Sequence, residues 1–214
     1  MSSDRKRPIP QRVLRAAQWA CLVSGTLLTG FYALALVDSE VGSKADLDTF
    51  VASIGEPDKS LWGTTRLKEF AASEGEQTGP VVAVLRIPSL KLTVPIYPDQ
   101  SDLHLNRGVG LVTGSGSPDK GGNAAIAGHR DGYFRVLMNA KKGEVIEIQT
   151  RLAVHRYLVS SIDIVDKQDN RLLAETDEPT ITLVTCYPFY FVGAAPQRYL
   201  VRATYIWPTP DSAS

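Results

Sequence analysis

The chain has 214 residues, of which 43% are hydrophobic, and its 23 Lys and Arg residues balance its 23 Asp and Glu residues. This length and composition predict a folded protein of one or two domains, and the lack of excess positive charge gives no support to nucleic-acid binding. Two cysteines are too few for a disulfide scaffold, and the sequence contains no CxxC or HExxH spacing that would indicate a metal site.

The N-terminal 37 residues have the pattern of a membrane anchor. Residues 1–15 carry five basic side chains and one acidic side chain, and residues 16–37 carry no charge. At about 1.5 Å per residue this second segment spans the roughly 30 Å core of a bilayer, and it exceeds the apolar run of about 7–15 residues in a signal peptide. We therefore expect a cytoplasmic tail at 1–15, a transmembrane helix at 16–37 that contains Cys21, and an extracytoplasmic remainder. The alternative is a cleaved signal peptide.

Residues 38–79 are polar and show little sustained periodicity. One segment within them, at 60–73, is amphipathic, with Trp62, Leu67 and Phe70 as its apolar side chains. We expect a stalk with one short helix that packs against the following domain or lies on the membrane, and the alternative is a mobile linker with a docked helix.

From residue 80 onward, short apolar and β-branched runs alternate with turn residues. Residues 144–149 alternate between polar and apolar side chains, as in a half-buried strand, whereas 181–185 are more continuously apolar, as in a central strand. Because no long helical segment separates the runs, the sequence predicts an all-β domain at 80–207, a closed or nearly closed barrel, with a tail at 208–214. Short helical turns are predicted at 133–140 and 170–174. The predicted strands are 81–87, 90–96, 124–127, 144–149, 155–160, 162–165, 180–185 and 199–206.

Three side chains with complementary chemistry lie at the ends of predicted strands. Cys186 ends the run TITLVTC, His129 ends the run NAAIAGH, and Arg198 begins the last strand. A thiolate is a nucleophile, an imidazole transfers protons near neutral pH, and a guanidinium donates hydrogen bonds to an oxyanion. Together they suit acyl transfer through a thioester. Taken singly, each has a structural alternative: Cys186 as a buried core thiol, His129 as a hydrogen-bonding turn residue and Arg198 as a surface ion-pair partner.

The sequence around these residues resembles the sortases. The similar stretches are VAVLRIPSLKLTVPIY at 82–97, AIAGHRDGYFRVL at 125–137 and TLVTCYPFYFVGAAPQRYLVRA at 182–203. The likeness is to the class D group, including its relatives in Gram-negative bacteria, and it also fits a single N-terminal anchor. It implies an eight-stranded sortase barrel in which Cys186 is the nucleophile, His129 the general acid and base, and Arg198 the oxyanion-stabilising group. It also implies that Thr185 lines the substrate groove, although an ordinary strand hydroxyl is the alternative.

The resemblance implies a membrane-anchored cysteine transpeptidase. Such an enzyme would cleave a C-terminal sorting signal of the Leu-Pro-x-Thr-Gly type through a thioester on Cys186. It would then transfer the protein to an amine acceptor, either a peptidoglycan precursor or another protein, in the periplasm or at the cell surface. Two alternatives are a thiol peptidase that acts mainly by hydrolysis and a non-catalytic surface-binding barrel. Some sortases bind calcium, but Asp99, Asp102 and Asp119 are too scattered to predict a site, so we expect no metal and no cofactor.

Other polar residues receive structural interpretations. Arg202 is an alternative guanidinium because residues four apart on a strand share a face, but the Pro-x-Arg-Tyr context favours Arg198. Asp131 is interpreted as a turn residue, and the alternative is that it orients the preceding histidine loop. His104, in a predicted polar loop, and His155, at a predicted strand start, match no catalytic motif and are expected to be structural or solvated.

Overall fold

The structure is a computed structural model, and it describes residues 54–206 except 170, 172, 191 and 192, together with residues 19, 22–26, 28, 29, 47 and 49–52. The chain divides into two compact units, Met1–Ala45 and Asp46–Ser214. In the first unit residues 22–26 and 28–29 are helical, and the Thr26 hydroxyl donates to the carbonyl oxygen of Leu22 at 2.8 Å.

The transmembrane helix predicted at 16–37 lies mostly outside the described residues, and the segments 1–15 and 208–214 lie entirely outside them. Within the part of the chain that the structure describes, none of the helices has the length and apolar character needed to cross a bilayer.

The second unit contains a closed barrel of eight strands, so the predicted all-β barrel with short helices is confirmed. The strands are β1 Ala83–Ile87, β2 Leu92–Tyr97, β3 Val109–Leu111, β4 Asn123–Ala127, β5 Val145–Gln149, β6 Val154–Asp166, β7 Thr180–Tyr187 and β8 Gln197–Tyr205. Around the barrel the strands follow the order β1-β2-β3-β4-β7-β8-β6-β5, and β5 pairs with β1. The β2/β3 and β4/β7 pairs are parallel and the others are antiparallel. From residue 54 to 206 the described helices are α1 Thr64–Ala72 and α2 Asp102–Arg107, with 3-10 helices at Pro88–Leu90 and Tyr133–Asn139. Residues 47 and 49–52 are also helical.

Alternate side chains of β7 and β8 fill the barrel. Ile181 and Leu183 of β7 and Val201 of β8 are fully buried in the main core. Burial of each such side chain stabilises the fold by about 1.5–3 kcal/mol, and a slip of one residue would turn all of them outward. The core therefore fixes the register, and it assigns Cys186 and Arg198 to the outer face of the barrel because both lie out of phase with the core residues.

The segment before the barrel packs into the same core. Trp62 and Phe70 are both buried there, and the Trp62 ring lies edge-on to Phe70 and Tyr133 at centroid distances of 5.5 and 5.0 Å. Leu67, predicted as a third apolar anchor, is instead 37% exposed. Of the arrangements considered for this segment, the structure shows packing against the barrel.

Within the domain predicted at 80–207, three elements of the structure differ from the sequence-based prediction. Helix α2 covers a stretch predicted as loop, β3 was not predicted, and the two runs predicted at 155–160 and 162–165 form the single strand β6. Helix α2 has six residues and β3 has three, which is too short for a periodic pattern to emerge. Strand β6 contains a register shift between Val159 and Ser161, and such a bulge interrupts the alternation in the same way as a strand end does.

Candidate active site

Three neighbouring strands bring together Cys186, His129 and Arg198. Strand β7 lies between β4 and β8, and across β7/β8 Cys186 is the direct partner of Arg198. Across β4/β7 each residue pairs with the residue 57 positions later, and the backbone N–H of Gly128 still donates to the carbonyl oxygen of Val184 at 3.1 Å. His129 follows Gly128, two residues beyond the end of β4, and it lines the same pocket as Cys186 and Arg198. Because β7 lies between β4 and β8, Cys186 belongs to the middle strand of the three.

One pocket of about 360 Å³ is lined by all three side chains, and each of them is half-buried. Four of its lining residues are cationic and one is acidic, so the pocket favours an anion such as a thiolate or an oxyanion. The lining residues are Arg66, His129, Arg130, Asp131, Lys167, Cys186, Gly193, Ala194, Ala195 and Arg198.

The two candidate guanidinium groups occupy different places. Arg198 lines the pocket, and its Nη1 donates to the backbone carbonyl of Gln197 at 3.0 Å. Arg202 pairs with Thr182 further along β7, and its Nη2 donates to the carbonyl of Arg171 in the β6–β7 loop. The geometry therefore places Arg198, and not Arg202, beside Cys186.

Thr185 points into the barrel. Its side chain is buried, with 2% exposed, and its hydroxyl donates to the carbonyl oxygen of Gly128 at 2.7 Å. This hydrogen bond joins the end of β7 to the backbone immediately before His129. The structure thus gives Thr185 a positioning contact, and its contact with substrate stays a prediction.

Burial is the main influence on the His129 imidazole. It disfavours the charged form and lowers the pKa of His129 to about 4, and the Arg66 guanidinium acts in the same direction. The carboxylates of Asp131 and Asp102 act in the opposite direction but are outweighed. At neutral pH the imidazole is therefore uncharged and is able to accept a proton.

The loop that follows His129 has polar contacts with two other segments. Arg130 donates from Nη2 to the carbonyl of Gly193 at 2.8 Å, which ties the loop to the β7–β8 connection. Asp131 accepts from Nε of Arg66 in α1 at 3.2 Å. The alternative in which Asp131 orients this loop is consistent with that contact. Arg66 was missed by the sequence analysis because the contact joins residues 65 positions apart and has no local signal.

Arg135 supports the segment that follows Cys186. Its Nη1 donates to the carbonyl of Phe189 at 2.9 Å, and its guanidinium lies 4.2 Å from the centre of the Tyr190 ring. The 3-10 helix Tyr133–Asn139 is therefore bonded, through Arg135, to the segment that follows the candidate nucleophile. Arg135 belongs to one of the stretches that resemble sortases, but its role depends on this long-range contact.

Two of the acids considered for calcium are hydrogen-bonded to histidine rings. Asp99 shares a hydrogen bond of 2.7 Å with the ring of His104, and Asp119 shares one of the same length with the ring of His155. His104 lies in α2, where it is buried and stacks on Tyr97, so its prediction as a loop residue is wrong. Among the described residues no group of three or more His, Cys, Asp or Glu side chains could hold a metal ion. The absence of a cofactor stays a prediction.

A larger cavity, of about 620 Å³, lies beside the two 3-10 helices. Its described lining includes Trp62, Arg86, Lys91 and Arg135 but contains neither a cysteine nor a histidine. We therefore locate the candidate chemistry in the smaller pocket, where a nucleophile, a proton carrier and a cation meet.

Comparison with known proteins identifies relatives for this arrangement. A family model described as the sortase domain matches residues 85–206. Sortase D of Bacillus subtilis is 28% identical over 184 residues, which cover 84% of this chain and 92% of that protein. Among solved structures, sortase A of Corynebacterium diphtheriae has 28% identity and a TM-score of 0.57, and the match covers 83% of this chain and 87% of that one. A sortase D5 transpeptidase of Clostridium perfringens, at 23% identity with a TM-score of 0.56 over 79% of this chain and 99% of that one, shares the fold.

Proposed function

Because the chain belongs to the sortase family of cysteine transpeptidases, we propose that Cys186, His129 and Arg198 form its catalytic site. The observation that supports this proposal is the shared pocket, which all three side chains line. The register pairs Cys186 of β7 with Arg198 of β8, and His129 follows the end of β4, the strand on the other side of β7. The proposed substrate is a protein with a C-terminal sorting signal of the Leu-Pro-x-Thr-Gly type, and the proposed acceptor is an amine.

In the first half-reaction the neutral imidazole of His129 accepts the thiol proton of Cys186. The thiolate sulfur attacks the Thr carbonyl carbon of the signal, and the guanidinium of Arg198 donates hydrogen bonds to the oxyanion that forms. Collapse of this intermediate breaks the Thr–Gly bond. The imidazolium gives its proton to the departing amine, so that a thioester remains on Cys186.

In the second half-reaction the acceptor amine attacks the thioester carbonyl while His129 removes its proton. The carbon–sulfur bond then breaks, Cys186 recovers a proton from the imidazolium, and a new amide links the substrate protein to the acceptor. A peptidoglycan precursor and an amine on another protein are both suitable acceptors. If water attacks instead, the result is hydrolysis, so the nature of the acceptor separates a transpeptidase from a thiol peptidase.

A membrane location is part of the proposal. The uncharged segment at 16–37 and the basic residues before it support a single transmembrane helix with a cytoplasmic N-terminus. The barrel would then lie outside the cytoplasm, in the periplasm or at the cell surface. Protease treatment of intact cells or spheroplasts, with an epitope at each end of the chain, tests this topology because only the barrel end should be digested.

The experiment that tests the reaction is a transfer assay with the full chain, a library of peptides of the Leu-Pro-x-Thr-Gly type and an added oligoglycine amine. Mass spectrometry should detect the N-terminal part of the peptide joined to the amine. Cys186→Ala should abolish this product, and Cys21→Ala, the matched control, should leave it unchanged. Transfer by Cys186→Ala would contradict the assignment of the nucleophile, and cleavage without any joined product would favour the hydrolytic alternative.

A further inference from the structure

Arg66 connects the helix that precedes the barrel to the candidate active site. Its side chain is only 9% exposed and lines the same pocket as Cys186. Its Nε lies 3.2 Å from Oδ1 of Asp131, two residues after His129. The guanidinium therefore lies within the candidate site although α1 precedes the first strand of the barrel.

The position of this guanidinium is fixed from several sides. Nη1 lies 2.8 Å from Oε2 of Glu69, one turn further along α1, and the same nitrogen donates to Oδ1 of Asn106 in α2. A Cβ atom added to Gly132 would lie 3.4 Å from Cδ of Arg66 and 3.5 Å from Cβ of His129. The aliphatic stem of Arg66 thus packs directly against the histidine loop, and its polar end is held by two helices and that loop.

We propose that Arg66 is a positioning residue of the active site, which fixes the loop carrying His129 and sets the electrostatic field at its imidazole. The inference rests on the proposed role of His129 as proton carrier. Other charged or titratable groups also face the imidazole or line its pocket. They are Asp131 on its own loop, Asp102 of α2, Arg130, Lys167, Cys186 and Arg198.

The charge of Arg66 has a definite effect on the proposed reaction. A cation beside the imidazole favours the neutral form, which is the form that accepts the thiol proton, and it makes the imidazolium a stronger acid toward the leaving amine. Asp131 opposes this effect, since a carboxylate stabilises the imidazolium. The ion pair between Arg66 and Asp131 thus holds two opposing charges close to one proton carrier.

The test is an NMR titration of the imidazole of His129 in the full chain, with its signal assigned by comparison with His129→Gln. Arg66→Gln should raise the pKa of His129 by on the order of one unit, because it removes the cation and leaves Asp131 unopposed. Asp131→Asn should lower it. If the ion pair had only a structural role, either substitution would loosen the loop and expose the imidazole to water. The pKa of His129 would then rise in both variants.

Two further variants complete the test. Arg66→Lys keeps the charge, so the pKa of His129 in this variant should stay near that of the wild type. Because the variant loses the planar donor group that holds the loop, its kcat should fall several-fold. Lys68→Gln removes a cation from the exposed face of α1, and it should leave both quantities unchanged. Identical titrations in Arg66→Gln and the wild type would overturn the inference. Because the titration needs no turnover, that outcome would be independent of the Cys186→Ala transfer assay.

Discussion

Cys186 and Arg198 face each other directly in the antiparallel ladder of β7 and β8. Side chains in such a pair project from the same face of the sheet, with Cβ atoms about 4.5–5.5 Å apart. The spacing between the candidate nucleophile and the candidate oxyanion donor is therefore set by backbone hydrogen bonds of two core strands. Because β7 and β8 each pair with a neighbouring strand on both sides, the backbone ladder holds the two residues opposite each other.

This pairing predicts different effects for two nearby arginines. Arg198→Gln should lower kcat by roughly 10²–10³-fold with little change in KM, because the lost donor acts on the oxyanion and not on the bound signal. Arg202→Gln, which removes a guanidinium bonded to the carbonyl of Arg171, should retain most of kcat. Steady-state transfer kinetics on the two variants provide the measurement, and the reverse order of effects would move the catalytic assignment to Arg202.

The lowered pKa of His129 predicts a loss of stability in acid. Between its ordinary value of 6.5 and about 4, the unfolded chain binds a proton at His129 and the folded chain does not. The free energy of unfolding therefore falls as pH decreases through this range, by about 3 kcal/mol in all. Urea unfolding of His129→Gln between pH 7 and 4 should show a shallower pH dependence than the wild type. Equal slopes for the two proteins would contradict a neutral imidazole at His129 in the folded protein.

The hydroxyl of Thr185 provides a third test. Thr185→Val keeps the shape of the side chain but leaves the carbonyl of Gly128 without this donor, which should cost about 1–3 kcal/mol of stability. Because that carbonyl belongs to the residue before His129, kcat should also fall, by on the order of ten- to a hundredfold. Thr185→Ser, which retains the hydroxyl, should recover most of both losses. A Thr185→Val variant with the stability and kcat of the wild type would contradict a role for this hydrogen bond.

Gly128 is required for steric reasons. A Cβ atom at this position would lie 2.6 Å from Cδ2 of Phe134, whose ring is fully buried, and 3.0 Å from Cγ1 of Val109. Gly128→Ala should therefore destabilise the fold by about 1–3 kcal/mol and displace His129. The control is Gly55→Ala, since a Cβ atom there meets nothing within 4 Å. Thermal unfolding should show a lower Tm for the first variant only, and equal Tm values would mean that the Phe134 ring moves aside freely.

Metal removal is expected to have no effect. Asp99 and Asp119, two of the acids considered for calcium, are already hydrogen-bonded to His104 and His155. The transfer rate should be the same after treatment with a chelator and after calcium is added back. A rate that falls with the chelator and recovers with calcium would show that this prediction is wrong.

The sequence alone determined the barrel and the candidate catalytic set. Alternation in the strands and the lack of long helices were sufficient for the fold class, because both depend on neighbouring residues. Predicted strand ends and local motifs identified Cys186, His129 and Arg198. These features depend only on residues that are close in the sequence. Their physical basis is short-range, since a strand end next to a turn projects its polar side chain out of the core.

Tertiary structure alone decided which distant groups act on those residues. Arg66 reaches the histidine loop only because Trp62 and Phe70 anchor its segment in the barrel core. Thr185 points inward because the register of β7 with β4 and β8 sets its phase. Neither fact has a local signature, since each depends on packing between segments far apart in the chain. The candidate catalytic side chains can thus be identified from the sequence. The charged and hydrogen-bonding groups that surround them come together only when the core has formed.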